Sequence, residues 1–193
     1  MPSDDDAEND LQWQFQSQSI LGETPASVAL EAIDGAIDRL RPHDRAGIRP
    51  AFAALAEGTW WVAALDERIR EGLGGKSAPA THRYVTTRNA SPDGQYVQAF
   101  LWARDRHTHQ LPFSMTHDDT AFFGSGDNVL SISAGLTWRP SSELHEPEGH
   151  RHARAAWRGA YDALLAGKTA WHTLERCSRW FHWLAGHTVP DSR

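Results

Sequence analysis

Arg104, Asp105, Arg106, His107, Thr108 and His109 form the segment of this chain best suited to chemistry. An arginine guanidinium can hold a phosphate through two hydrogen bonds and stabilise the charge that develops on it. Histidine titrates near neutral pH and can move protons. Together they suit attack of an RNA 2′-hydroxyl on the adjacent phosphate, a reaction that calls for no metal. A second set is rich in histidine: His107, His109, His117, His145, His150 and His152, with Asp118 and Asp119 beside His117. On a helix, residues two apart diverge, whereas useful pairs sit three or four apart. The set lacks an H-E-x-x-H element, so no metal or cofactor is expected. Cys177 is the single cysteine and falls on an apolar stripe, where it packs as a small hydrophobe. No G-x-S-x-G, Walker A or G-x-G-x-x-G element occurs.

Arg104 and Asp105, three intervening residues and then His109 resemble the R-polar-x3-H motif of HEPN domains. Those are all-helical bundles, many of them metal-independent ribonucleases of toxin–antitoxin and phage-defence systems. The resemblance implies Arg104 as the residue that holds the scissile phosphate and His109 as the proton-transfer residue. Asp105 takes the polar position that orients them, and His107 assists. It also implies RNA as the partner and a homodimer in which two motifs meet. A protein partner such as an antitoxin is a further expectation. Five residues along a helix turn the chain by about 140°. Arg104 and His109 therefore diverge, which also favours a site shared between two copies. The rival reading is a non-catalytic helical interaction or regulatory protein with an aromatic-rich partner surface.

Charge and composition narrow the field. A net charge of −6 argues against a general nucleic-acid coat. The 193 residues are 40% apolar, enough for one domain with a core. No apolar stretch reaches bilayer length. The start, Met1-Pro2-Ser3 and then aspartates, is unlike a signal peptide, so a cytoplasmic location is expected. Residues 1–20 read as a disordered acidic tail and 188–193 as a short C-terminal one, flanking a single domain over 21–187.

Five helices are expected to position the motif. The first starts at Thr24-Pro25 and ends at Pro42. The second covers about 46–73, with a 4-3-4-3 stripe from Ile48 to Leu73 that includes Asp66. Either the stripe is partly exposed there, or the carboxylate is paired, in a structural ion pair or in support of a site residue. Trp60 and Trp61 beside it read as core. Residues 83–88 are β-prone and read as a short strand or an extended connection. The third helix begins at Ser91 and carries the motif as far as Leu111. Residues 120–138 read as a β-hairpin-like insertion around Gly124-Ser125-Gly126. The fourth helix, 148–166, bears the basic ridge Arg151, Arg154 and Arg158, a track for an RNA backbone. The fifth runs from Thr169 to about Ala185. The expected fold is thus mainly α, a HEPN-like helical bundle with a small β insertion.

Overall fold

In the computed structural model the backbone is described for residues 24–41, 48–110, 115–118, 121–123, 130–132, 135–144 and 155–186. Side chains are described over 26–41, 49–105, 135–144 and 156–186. The tails at 1–20 and 188–193 lie outside these residues, as do Arg151, Arg154 and the side chains of Arg106, His107 and His109.

The fold is a mainly α-helical bundle. Its elements are α1 (Thr24–Leu40), α2 (Ile48–Gly72), α3 (Pro79–Ala90), α4 (Gly94–Gln110), α5 (Ala155–Leu164) and α6 (Ala170–Leu184). Four short strands, β1 (Met115–Asp118), β2 (Ala121–Phe123), β3 (Leu130–Ile132) and β4 (Gly135–Trp138), lie between α4 and α5. β1 pairs with β4 and β2 with β3, both antiparallel, in the registers Met115 to Trp138 and Ala121 to Ile132. The paired segment begins at Met115, a few residues earlier than the expected insertion.

α1, α2, α4 and α6 pack around a shared core, and α3 and α5 flank α4. The core is built from the predicted stripes: Ile33 and Ile37 of α1, Leu55, Val62 and Ile69 of α2, Val97 and Phe100 of α4, Leu174, Cys177, Phe181 and Leu184 of α6. Each fully buried Leu, Ile or Phe contributes about 1.5–3 kcal/mol from leaving water. Gly58 lets α2 approach α6 closely, since a Cβ there would come within 2.6 Å of Leu174 Cδ2. Gly167 and Gly186, both at positive φ, follow α5 and α6 as C-terminal stops.

Two sequence expectations are corrected. Residues 83–88 are helical, inside α3, which makes six helices among the described residues rather than five. The buried positions of α3 are Thr81, Tyr84 and Arg88, spaced as one helix face. Two of the three are polar and one is charged, so an apolar-periodicity test does not register them. Trp60 is not core: it is 56% exposed and meets Trp61 edge-on at 4.8 Å.

β4 belongs to the bundle. Leu136 and Trp138 are buried. The Trp138 amide donates to the Lys168 carbonyl at 3.1 Å, and the Gly167 amide donates to the Trp138 carbonyl at 2.8 Å. The indole Nε1 donates to Thr173 Oγ1 at 2.9 Å. The strand pairing at 115–138 is therefore closed on its C-terminal side by a strand embedded in the core.

Candidate functional site

α4 carries the Arg-Asp-x3-His motif, and its neighbours hold it firmly. Tyr96 through Ala103 are mostly buried, with Val97, Ala99 and Phe100 fully so. Ser91 caps the helix start: its hydroxyl accepts from the amides of Asp93 and Gly94, each at 3.3 Å. Gly94 is required there, because a Cβ would lie 2.4 Å from the Arg88 carbonyl oxygen. The α3–α4 turn is thus a backbone-to-backbone contact.

Burial breaks off at the motif. Ala103 is buried, whereas the side chains of Arg104 and Asp105 are 39% and 26% exposed. Arg104 Nη2 lies 3.5 Å from Asp105 Oδ1. The α4 backbone stays helical through His109 to Gln110, so the motif's spacing is helical throughout. That keeps the angular separation of Arg104 and His109 at about 140° along one helix.

α5 brings Arg158, the described member of the basic ridge, onto a helix that runs beside α4. Lys168, after α5, lies 5.9 Å from the Tyr96 ring near the start of α4. Tyr161 of α5 packs on Trp102 of α4, with ring centroids 4.4 Å apart. The two helices therefore run antiparallel, and the N-terminal half of α5 lies along the motif-bearing half of α4. Arg158, one turn before Tyr161, donates from Nε to Ser141 Oγ at 2.8 Å. Ser141 in turn donates from its amide (2.8 Å) and hydroxyl (2.5 Å) to the Asp162 carboxylate. The Tyr161 hydroxyl donates to the Arg139 carbonyl at 2.6 Å, so Arg139 joins this cluster, a residue the sequence reading did not single out. Burial pushes the Tyr161 hydroxyl pKa up, with Asp162 and Glu143 adding to the shift.

Asp66 is fully buried, as a stripe position should be. Its Oδ1 accepts from Arg88 Nη1 at 2.5 Å and from the Tyr84 hydroxyl at 2.8 Å, while Arg70 Nε lies 2.9 Å from Oδ2. Arg88 is only 3% exposed and also donates to Asn89 Oδ1, at 3.1 Å from Nε and 3.0 Å from Nη2. These contacts lock α2 to α3 in a structural ion cluster. Arg88 also stands at the α3–α4 turn, where its backbone carbonyl faces Gly94. Burial first, then the Asp66 carboxylate, hold the Tyr84 hydroxyl pKa well above its ordinary value.

A second polar seam joins α1 to α6. Asp34 accepts from Ser178 Oγ at 2.5 Å and lies 2.9 Å from His182 Nε2. This is not a nucleophilic triad, because the carboxylate, not the imidazole, contacts the serine. Cys177 is buried in the core, as predicted, and burial raises its thiol pKa well above the usual value.

Among the described residues no group of three His, Cys, Asp or Glu side chains is arranged to hold a metal ion. The side chains of the histidine set at 107, 109, 117, 145, 150 and 152 lie outside those residues. Among the described residues no helix is long and apolar enough to cross a membrane. The chain matches no family model, no curated protein and no solved structure.

Proposed function

We propose that this protein is a metal-independent RNA endonuclease of the HEPN type, acting as a homodimer. One observation carries the reading. Arg104 stands where the continuous burial of α4 ends, its side chain 39% exposed, on a helix whose preceding residues are fixed on several sides. A guanidinium so placed is rigidly supported yet reaches solvent, which suits a residue that grips a phosphate and stabilises its transition-state charge. His109 takes the proton from a ribose 2′-hydroxyl, whose oxygen attacks the adjacent phosphorus. The bond to the 5′-oxygen breaks, and that oxygen receives a proton from a second histidine, His107 or the copy of His109 in the other protomer. The products are a 2′,3′-cyclic phosphate and a 5′-hydroxyl. Asp105 orients Arg104. Arg158, with Arg151 and Arg154 before it, tracks the flanking RNA backbone.

The decisive experiment is RNA cleavage in EDTA by wild type, Arg104→Ala and His109→Ala. Cleavage to cyclic-phosphate ends is expected in wild type and in neither variant, with helical content unchanged by circular dichroism. Cleavage retained in both variants would reject this site.

A second reading rests on Trp60. A tryptophan 56% exposed on a helix inside the bundle suits a protein-docking anchor, as in a non-catalytic regulator or in a toxin held by a protein partner. Pull-down of the same partner by wild type but not by Trp60→Ala, from a protein that cleaves no RNA, would favour it.

A further inference from the structure

α3 has two faces of opposite character. The inward face is narrow: Thr81, Tyr84 and Arg88, engaged with Arg70, Asp66 and Asn89. The outward face presents Pro79, His82, Arg83, Thr86 and Asn89, all exposed and spaced three or four apart on one side of the helix. Lys76 is exposed in the loop just before it. Among the described residues none forms an ion pair or hydrogen bond with the side chains of Lys76, His82 or Arg83.

The charge pattern is what sets this face apart. The chain has 25 acidic residues in 193, yet none falls between Glu71 and Asp93. The acids at the two ends are Asp93, held by Arg176 Nε at 2.5 Å, and Glu71 at the end of α2. In a chain of net charge −6, a helix face lined with a guanidinium, an imidazole, a hydroxyl and an amide is a set of hydrogen-bond donors with no carboxylate on its own helix. α3 packs against α4, the helix that bears Arg104.

We propose that the outer face of α3, with Lys76, binds the phosphate backbone of single-stranded RNA and holds the strand while it is cleaved. This rests on the nuclease reading for its substrate class. The ligand chemistry follows from the residues: spaced donors and two permanent cations match successive phosphate oxygens, and His82 is the one ring on the face, with no Phe, Tyr or Trp beside it to make a base-stacking platform. Recognition here is therefore indifferent to sequence and sensitive to salt.

The test is fluorescence anisotropy with a labelled, unstructured RNA, using Arg104→Ala as the background so that the probe stays intact. Arg83→Glu is compared with Arg49→Glu, which changes the net charge equally from an exposed position on α2. Roughly tenfold weaker binding is expected for Arg83→Glu and near-parental binding for Arg49→Glu. The double variant Lys76→Glu/Arg83→Glu should lower the steepness of log K against log salt by about 1.4, two single-strand phosphate contacts. Equal weakening by both single variants, or none by Arg83→Glu, overturns the proposal, as does an absence of RNA binding in the parent. RNA bound through Arg83 by a wild type that cleaves nothing would sink the nuclease reading and leave the outer face of α3 as an RNA-binding surface. Cleavage by a protein indifferent to Arg83→Glu would do the reverse.

Discussion

Asp66 shows how much one side chain can decide. It is completely buried and bonded to Arg88 and Tyr84, with Arg70 alongside. A buried pair of this kind contributes little net stability against an apolar replacement, because both charges have left water. Breaking it is another matter. Asp66→Ala leaves the Arg88 guanidinium buried with no carboxylate, and should cost about 3–5 kcal/mol. The midpoint of urea unfolding reads this directly. Adding Arg88→Met to Asp66→Ala should recover a large part of the loss. If it recovers none, the cluster's role is not the one its geometry indicates. The position was legible in the sequence as a carboxylate on a mostly apolar stripe, which is either partly exposed or paired, and the structure makes it paired. Its partners were not, because Tyr84 and Arg88 lie on a segment that reads as strand.

At the level of elements, legibility followed the chemistry of the buried face. α1, α2, α4 and α6 bury aliphatic and aromatic residues at helical spacing, and periodicity found all four. α3 buries Thr81, Tyr84 and Arg88, so the same test failed there, and the β-branched run Val85-Thr86-Thr87 pointed to a strand. Tertiary anchoring overrode local preference. The candidate motif on α4 was visible from residue types alone, but its setting was not. The end of continuous burial at Ala103, with Arg104 half-buried after it, and the antiparallel course of α5 depend on contacts between residues far apart in sequence. The α3–α4 turn gives a test at this scale. Gly94→Ala would drive a methyl against the Arg88 carbonyl, and backbone cannot swing aside as a side chain can. A loss of about 1–3 kcal/mol is expected from such overpacking. RNA cleavage should fall with it, because α4 starts at that turn. Thermal unfolding of Gly94→Ala equal to wild type would show the turn to be more yielding than drawn.

Across the whole molecule, the buried acids that stay protonated set an alkaline limit. Burial raises the pKa of both Tyr84 and Cys177 in the fold. The unfolded chain then releases these protons first, so raising the pH favours unfolding. Their contribution is complete below the unfolded values, about 8.5 for a thiol and 10 for a phenol, and drains away above them. Melting temperature should therefore decline from about pH 8.5 upward. Tyr84→Phe should lower stability at neutral pH, by losing the bond to Asp66, yet make the alkaline decline shallower. A decline as steep as in wild type would remove Tyr84 as its source.

The seam between α1 and α6 has a consequence for how the protein is made. Asp34 is bonded to His182, 148 positions later, and the apolar stripe of α1 is covered first by α2 and then by α6. A ribosome adding about 5–20 residues per second needs roughly 7–30 s to travel from one to the other. For that interval the α1 stripe on the nascent chain has no α6 to cover it. During that time α2 is the cover the stripe has, and codon choices that slow synthesis before α6 would lengthen the interval in which the rest of it stays open.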